Sequence, residues 1–85
     1  MYTIDWKNKA QKQLAKIDGR EIRNTIYDTA QTLCSFPAVE QVKKLTNHKY
    51  QYRLRVGRYR VFFDVSDTVR IIHIEEVKKR DDRTY

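Results

Sequence analysis

The sequence predicts an α+β domain. Two N-terminal helices pack on one face of a small, mainly antiparallel four-stranded sheet, in the order β-α-α-β-β-β. Three observations carry this. Apolar residues recur at helical spacing between Trp6 and Leu33, with a break at Gly19. From Tyr50 to Val65 they alternate with polar ones on either side of Gly57-Arg58, which is the pattern of a β-hairpin. A further apolar run, "VRIIHIEEV", extends from Val69 to Val77. The chain has 85 residues, so a single domain spanning 1–85 is expected, with a modest core.

The first candidate strand is "YTID", residues 2–5, and Asp5 is placed to cap a helix starting at Trp6. Trp6, Ala10, Leu14 and Ile17 then share one helical face, while Lys7, Lys9, Lys12 and Lys16 cover the rest as a solvated surface. Gly19 closes this helix. A second helix is expected from Arg20 to Ser35, with Ile22, Ile26, Ala30 and Leu33 as its apolar stripe. Pro37 stops it and pushes Phe36 out of helical geometry. Residues Ala38 to Lys49 read as a basic connection.

The hairpin turn has glycine at its first central position, which suits a type II′ turn. That turn fixes the register: Leu54 faces Val61, Tyr52 faces Phe63 and Tyr50 faces Val65 on the apolar side. On the other side Arg55 faces Arg60, Arg53 faces Phe62 and Gln51 faces Asp64. A tight loop near Asp67 then sets Ile72 across from Phe63 and Ile74 across from Val61, with His73 and Glu75 on the arginine face.

The net charge is +7, and it is unevenly spread. No acid occurs from Gln41 to Phe63, where Lys43, Lys44, Lys49, Arg53, Arg55, Arg58 and Arg60 all fall. Such segregation favours a polyanionic partner, nucleic acid first. No segment approaches the roughly 20 apolar residues of a membrane span, and the N-terminus lacks the apolar core of a signal peptide. A lone Cys34 forms no internal disulfide and reads as a small core residue, so a cytoplasmic location and no membrane partner are expected.

Arg53, Arg55 and Arg60 thus lie on an open sheet face. A single arginine there is explained by its stem covering apolar surface. Three without balancing acids point to phosphate, which guanidinium groups bind bidentately, and Phe62 on the same face could stack on a base. The same set suits RNA strand cleavage by 2′-OH attack, where a phosphate must be oriented and its charge stabilised. Arginine cannot move the protons, because it keeps its own far above neutral pH. The proton carriers must come from Tyr85, Lys49, Lys79, His73 or His48. The two histidines and the cysteine lack ligand spacing, so neither a metal nor another cofactor is expected.

These residues carry a resemblance. "KLTNHKYQYRLRVGRYRVFFDV", followed by "VRIIHIEEVKKRDDRTY", resembles the RelE/ParE superfamily of bacterial toxins, RelE-type members most closely, over nearly the whole chain. The "YRLRVGxYRV" run is its most specific part. The resemblance implies a RelE-like fold and the toxin of a type II toxin–antitoxin pair. RelE-type toxins enter the ribosomal A site and cut mRNA to a 2′,3′-cyclic phosphate end. A co-encoded antitoxin wraps and neutralises them, and operator DNA is met only indirectly, through that antitoxin.

By position, the resemblance makes Arg53 a substrate contact, Arg60 the phosphate-stabilising arginine, Arg80 the C-terminal catalytic arginine and Tyr85 the tyrosine that stacks on a base or helps proton transfer. Lys43, Lys44, Lys49, Arg55, Phe62 and Lys79 form the supporting RNA-binding set. Some members carry lysines on the second strand. Here Gln51 and Arg53 stand there, so a lysine base is missing from that strand unless Lys49 reaches in. The chain stops at Tyr85, where relatives often continue for several residues.

The leading expectation is therefore a ribosome-dependent, metal-independent mRNA endoribonuclease that inhibits translation and arrests growth. Its expected partners are the ribosome, mRNA and an acidic, wrapping antitoxin. The rivals are a ParE-like inhibitor of DNA gyrase and a non-catalytic RNA- or ribosome-binding module. Cut mRNA or damaged DNA in the cell separates the first two.

Overall fold

The computed structural model describes residues 1–80. Its elements run β1 (Thr3–Trp6), α1 (Asn8–Ala15), α2 (Arg20–Gln31), a 3₁₀ turn (Thr32–Ser35), β2 (Val42–Lys44), β3 (Tyr52–Val56), β4 (Tyr59–Ser66) and β5 (Ile71–Lys79). The sheet has five strands in the order β1-β5-β4-β3-β2, not the four expected. β1 pairs parallel with β5, and every other neighbour is antiparallel. The α+β class stands, and the added strand is β2.

β2 lies in the stretch read as a basic connection. Its three residues offer a single apolar side chain, Val42, and hence no alternation to detect. It pairs Val42 with Leu54, Lys43 with Arg53 and Lys44 with Tyr52. Lysines on a short edge strand discourage pairing with another chain.

The hairpin register is as the sequence predicts from Tyr52 to Val56: Leu54 opposes Val61, Tyr52 opposes Phe63 and Arg55 opposes Arg60. Gly57 has φ of 57°, the left-handed value that the first central position of a type II′ turn needs. Pairing stops two residues earlier than expected. Gln51 N–H donates to Asp64 Oδ1 at 2.8 Å, and Val65 N–H donates to Gln51 Oε1 at 2.8 Å, so side chains replace the ladder there. Tyr50 is freed from alternation. It is buried, but beside Phe62 on the open face and apart from the main core.

The last strand is also displaced. β4 turns through the loop 67–70, with Arg70 at φ 58°, and not at a tight turn near Asp67. Ile72 therefore opposes Val65, and Ile74 opposes Phe63. A bulge between Phe62 and Phe63 then leaves Phe62 facing Glu76 and Val61 facing Val77. One extra residue reverses the parity of everything beyond it.

Between the sheet and the helices lies the core: Leu54, Val61, Phe63, Ile72 and Ile74 from the strands, Ala10 from α1, Ile26 and Ala30 from α2, and Leu33. Phe63 is fully buried, stacked on Tyr52 at 5.4 Å between ring centroids and edge-on to Phe36 at 5.8 Å. The expected apolar faces of both helices are used except at Ile22, which is 46% exposed and stands outside the core, and α1 is shorter than expected. Trp6 belongs to β1, where it stacks on Tyr27 at 5.7 Å and donates Nε1–H to Gln31 Oε1. Gly19 does not end α1 but precedes α2, at φ 98°. Cys34 is half-buried with a free thiol.

Asp5 caps no helix. It lies in β1 opposite His73, its Oδ2 accepts a hydrogen bond from His73 Nδ1 at 3.1 Å, and it meets Lys7 at 3.4 Å. His73 Nε2 in turn sits 3.1 Å from Ser66 Oγ, so one side-chain chain ties β1, β5 and β4 together on the open face. Among the described residues, no helix is long and apolar enough to cross a membrane.

Candidate nucleic-acid interface

The open sheet face is built by strand parity. Arg53 and Arg55 on β3 point away from the helices because Leu54 and Val56 point toward them. Arg60 and Phe62 on β4 do the same. Across the strands the face reads Lys43 beside Arg53 and Arg55 beside Arg60, with Lys78 next to Arg60. Like charges directly opposite repel, so this row has a built-in deficit of negative charge.

At the hairpin end, Arg53, Arg55, Arg60 and Arg80 converge on a cavity of about 80 Å3, completed by Gly57 and Tyr59. Arg80 reaches it because its backbone N–H donates to the carbonyl of Arg58 at 2.6 Å, which extends the β4–β5 pairing by one residue. No carboxylate is among the described residues that line the cavity. Arg53 Nε is buried and has no acceptor among the described residues. Burial, then the charges of Arg55, Arg60 and Arg80, push the Arg53 guanidinium pKa down from its ordinary value. An unpaired buried donor and mutual repulsion are both relieved by an anion in the cavity.

The remaining expected site residues are dispersed. Lys43 joins the arginine row, but Lys44 takes the opposite parity, with Tyr52. Lys79 pairs with Tyr59 and lines the grooves beside α2, so the structure sets it on the helix side, away from the arginines. The bulge is the reason: it turns Lys78, which the sequence reading passed over, onto the arginine face. Lys49 lies over the Tyr50 ring, 5.5 Å from its centroid. Tyr85 lies outside the described residues. Among the described residues, no cluster of His, Cys, Asp and Glu could hold a metal ion.

Phe62 is only 5% exposed, because His48 covers it. The two rings stack at 5.1 Å with an interplanar angle of 16°, and Tyr50 leans on Phe62 at 5.7 Å. Tyr50 O–H donates to Glu76 Oε1 at 3.0 Å, and Lys9 Nζ meets the same oxygen at 3.5 Å. Burial and the Glu76 bond push the Tyr50 pKa up to about 12, which removes it as a proton carrier near neutral pH. Burial opposes ionisation of Glu76, but the Tyr50 bond and the Lys9 charge outweigh it and hold the carboxyl below its usual range. For Asp5 the His73 bond does the same, against partial burial and with help from Lys7.

Both carboxylates predict an acid limb of stability. A depressed folded-state pKa stabilises fully above the ordinary carboxyl range, and the gain is lost as pH falls through the folded value. The melting temperature is expected to fall below about pH 4. In Asp5→Asn and Glu76→Gln that fall should flatten, as followed by circular dichroism from neutral pH downward. An unchanged acid limb in both variants would discard these contacts as its source.

A small, basic α+β domain with two helices on one sheet face and an arginine-lined cavity on the other belongs to a defined class, the RelE/ParE superfamily of toxins. The sequence model of the ParE toxins of type II toxin–antitoxin systems, parDE, matches residues 4–83, and the chain belongs to that family. No curated protein matches the sequence significantly.

Solved structures agree in fold. The archaeal RelE–RelB complex of Pyrococcus horikoshii matches with a TM-score of 0.79 at 24% identity, over 98% of both chains. The RelBE2 toxin–antitoxin complex of Mycobacterium tuberculosis matches at 0.77 and 22% identity, over 93% of this chain and 98% of that one. The isolated Escherichia coli RelE toxin matches at 0.77 and 22% identity, over 95% of this chain and 86% of that one.

Proposed function

We propose that this toxin is a ribosome-dependent endoribonuclease that cuts mRNA in the A site. The convergence of Arg53, Arg55, Arg60 and Arg80 on one cavity, with Arg53 Nε lacking an acceptor among the described residues, is the observation that carries this reading. A scissile phosphate would supply the missing counter-charge. Arg53, Arg60 and Arg80 would hold its non-bridging oxygens and offset the charge that grows on them in the transition state. The ribose 2′-oxygen then bonds to phosphorus while the bond to the 5′-oxygen breaks. The products are a 2′,3′-cyclic phosphate and a 5′-hydroxyl. One proton leaves the 2′-OH, and another reaches the departing oxygen.

Arginines cannot carry those protons, so the cavity acts by charge and position. This is the physical reason for dependence on the ribosome, which can present mRNA in an in-line shape. Tyr85 and Lys49 are proposed as supporting groups, with Lys43 and Lys78 holding the flanking backbone. The proposed partners are the ribosome, mRNA and a cognate antitoxin, acidic and wrapping, through which operator DNA is contacted indirectly; the family supports the antitoxin. The site of action is the cytoplasm.

Expression of Arg60→Ala and Arg80→Ala is expected to relieve growth arrest, and primer extension on programmed ribosomes should lose the cleavage stop. Full growth arrest by both variants would sink the assignment. The parDE description of the family supports a second reading, inhibition of DNA gyrase by binding. Damaged DNA with intact mRNA after induction would select it. Ribosome binding without cyclic-phosphate ends would instead select a non-catalytic module.

A further inference from the structure

The exposed His48 ring is held by two contacts on the open face. One ring face rests on Phe62 at 5.1 Å and 16°. Its Nδ1 accepts the Tyr50 N–H at 3.0 Å, which fixes the ring plane. Phe62 is itself held from the side by Tyr50, and Tyr50 by Glu76. The residue remains exposed beyond its ring contacts with Phe62 and, at 5.9 Å, Tyr50.

The position is as informative as the rigidity. Phe62, beneath His48, is the direct cross-strand partner of Arg53 and lies two residues from Arg60 on the same face of β4. Two residues along a strand span about 7 Å, so the aromatic stack begins one side-chain step from the arginine cavity. His48 also lines a hollow of about 310 Å3 whose charged residues are Lys44, Lys49 and Asp67. A flat ring next to a phosphate-sized cluster of cations is the layout of a single-strand binding groove.

We propose that His48 is a stacking platform for a nucleobase of the RNA strand whose phosphate occupies the arginine cavity. The proposal rests on the phosphate-binding reading of that cavity given above. Phe62 does not stack on RNA; it backs the ring that does. The Tyr50 bond to Nδ1 holds the ring in place before RNA arrives, so little rotamer freedom is lost on binding. Stacking tolerates any base, so His48 should contribute affinity with little sequence preference.

Nuclear magnetic resonance tests this on the full chain, even where binding is weak. The protein is titrated with a short single-stranded oligoribonucleotide and, separately, with ribose 5-phosphate, which carries phosphate but no base. The oligonucleotide should move the His48 ring protons upfield, and ribose 5-phosphate should leave them in place. His73, held between Asp5 and Ser66, is the internal control and should not respond to either. The Arg53 Nε–H signal should respond to both.

Response of Arg53 to both ligands with His48 still would overturn the platform and leave the cavity reading intact. Equal His48 shifts with both ligands would also overturn it, since charge and not stacking would then be the cause. Silence of Arg53 and His48 alike would overturn both readings. In a second measurement, His48→Ala should bind the oligonucleotide about tenfold more weakly. It should leave ribose 5-phosphate affinity unchanged, and His48→Phe should restore the loss. A His48→Ala protein with unaltered oligonucleotide affinity would equally discard the platform.

Discussion

Arg53→Met is expected to yield a toxin that is more stable and inactive. Nε of Arg53 is buried without an acceptor among the described residues, and its charge faces those of Arg55, Arg60 and Arg80. Methionine keeps the length of the stem and its contacts with the sheet while removing both penalties. The gain should be roughly 1 kcal/mol, a rise of several degrees in melting temperature for a domain of this size. Losing one preorganised donor from a charge-stabilising site costs about 10²–10³ in the chemical step. Thermal melting together with single-turnover cleavage on programmed ribosomes checks the two effects separately. A variant that is less stable than the parent would mean that Arg53 is held by a counter-charge within the protein, and the anion-binding argument would lose its basis.

Phe63→Ala should abolish toxicity by a different route. Phe63 is fully buried and touches two aromatic neighbours, Tyr52 and Phe36. Removing such a ring costs about 3–5 kcal/mol through lost transfer energy and the cavity left behind. A small domain has only about 5–15 kcal/mol in total, so a large share of its stability disappears. Urea denaturation should show the midpoint falling sharply with little change in slope. Loss of growth arrest in this variant should follow the loss of folded protein. In Arg53→Met it should occur with folded protein at full level. A Phe63→Ala midpoint within about 1 kcal/mol of the parent would contradict the packing described here.

The two substitutions sit on neighbouring strands, on opposite faces of one sheet. That opposition was legible in the sequence. Alternation along Tyr52–Val56 and Tyr59–Phe63, with a glycine turn between, is a local property with a period of two, and it sets Arg53, Arg55 and Arg60 on one side whatever else the chain does. The helix stripes were legible for the same reason, through their longer period. Their ends were not, because Asp5 and Gly19 take roles set by distant partners and by the path of the backbone between helices.

Two features of the site depended on contacts far apart in sequence. The bulge in β5 falls just beyond the residues that pair with β1, and it decides that Lys78 and not Lys79 joins the arginines. The last paired residues then carry Arg80 to the cavity, through a hydrogen bond to Arg58. The end of β3 is a third case. Gln51 substitutes its side chain for ladder bonds, and Tyr50 leaves the core to support Phe62 and His48.

By itself, then, the sequence determined the α+β class, the hairpin register and the outward-facing arginines, because local periodicity and turn chemistry dictate them. Only the tertiary structure decided the fifth strand, the parity of the C-terminal lysines, the covering of Phe62 and the convergence on one small cavity. Those depend on pairing between segments distant along the chain, where a one-residue slip moves a side chain from one face of the sheet to the other.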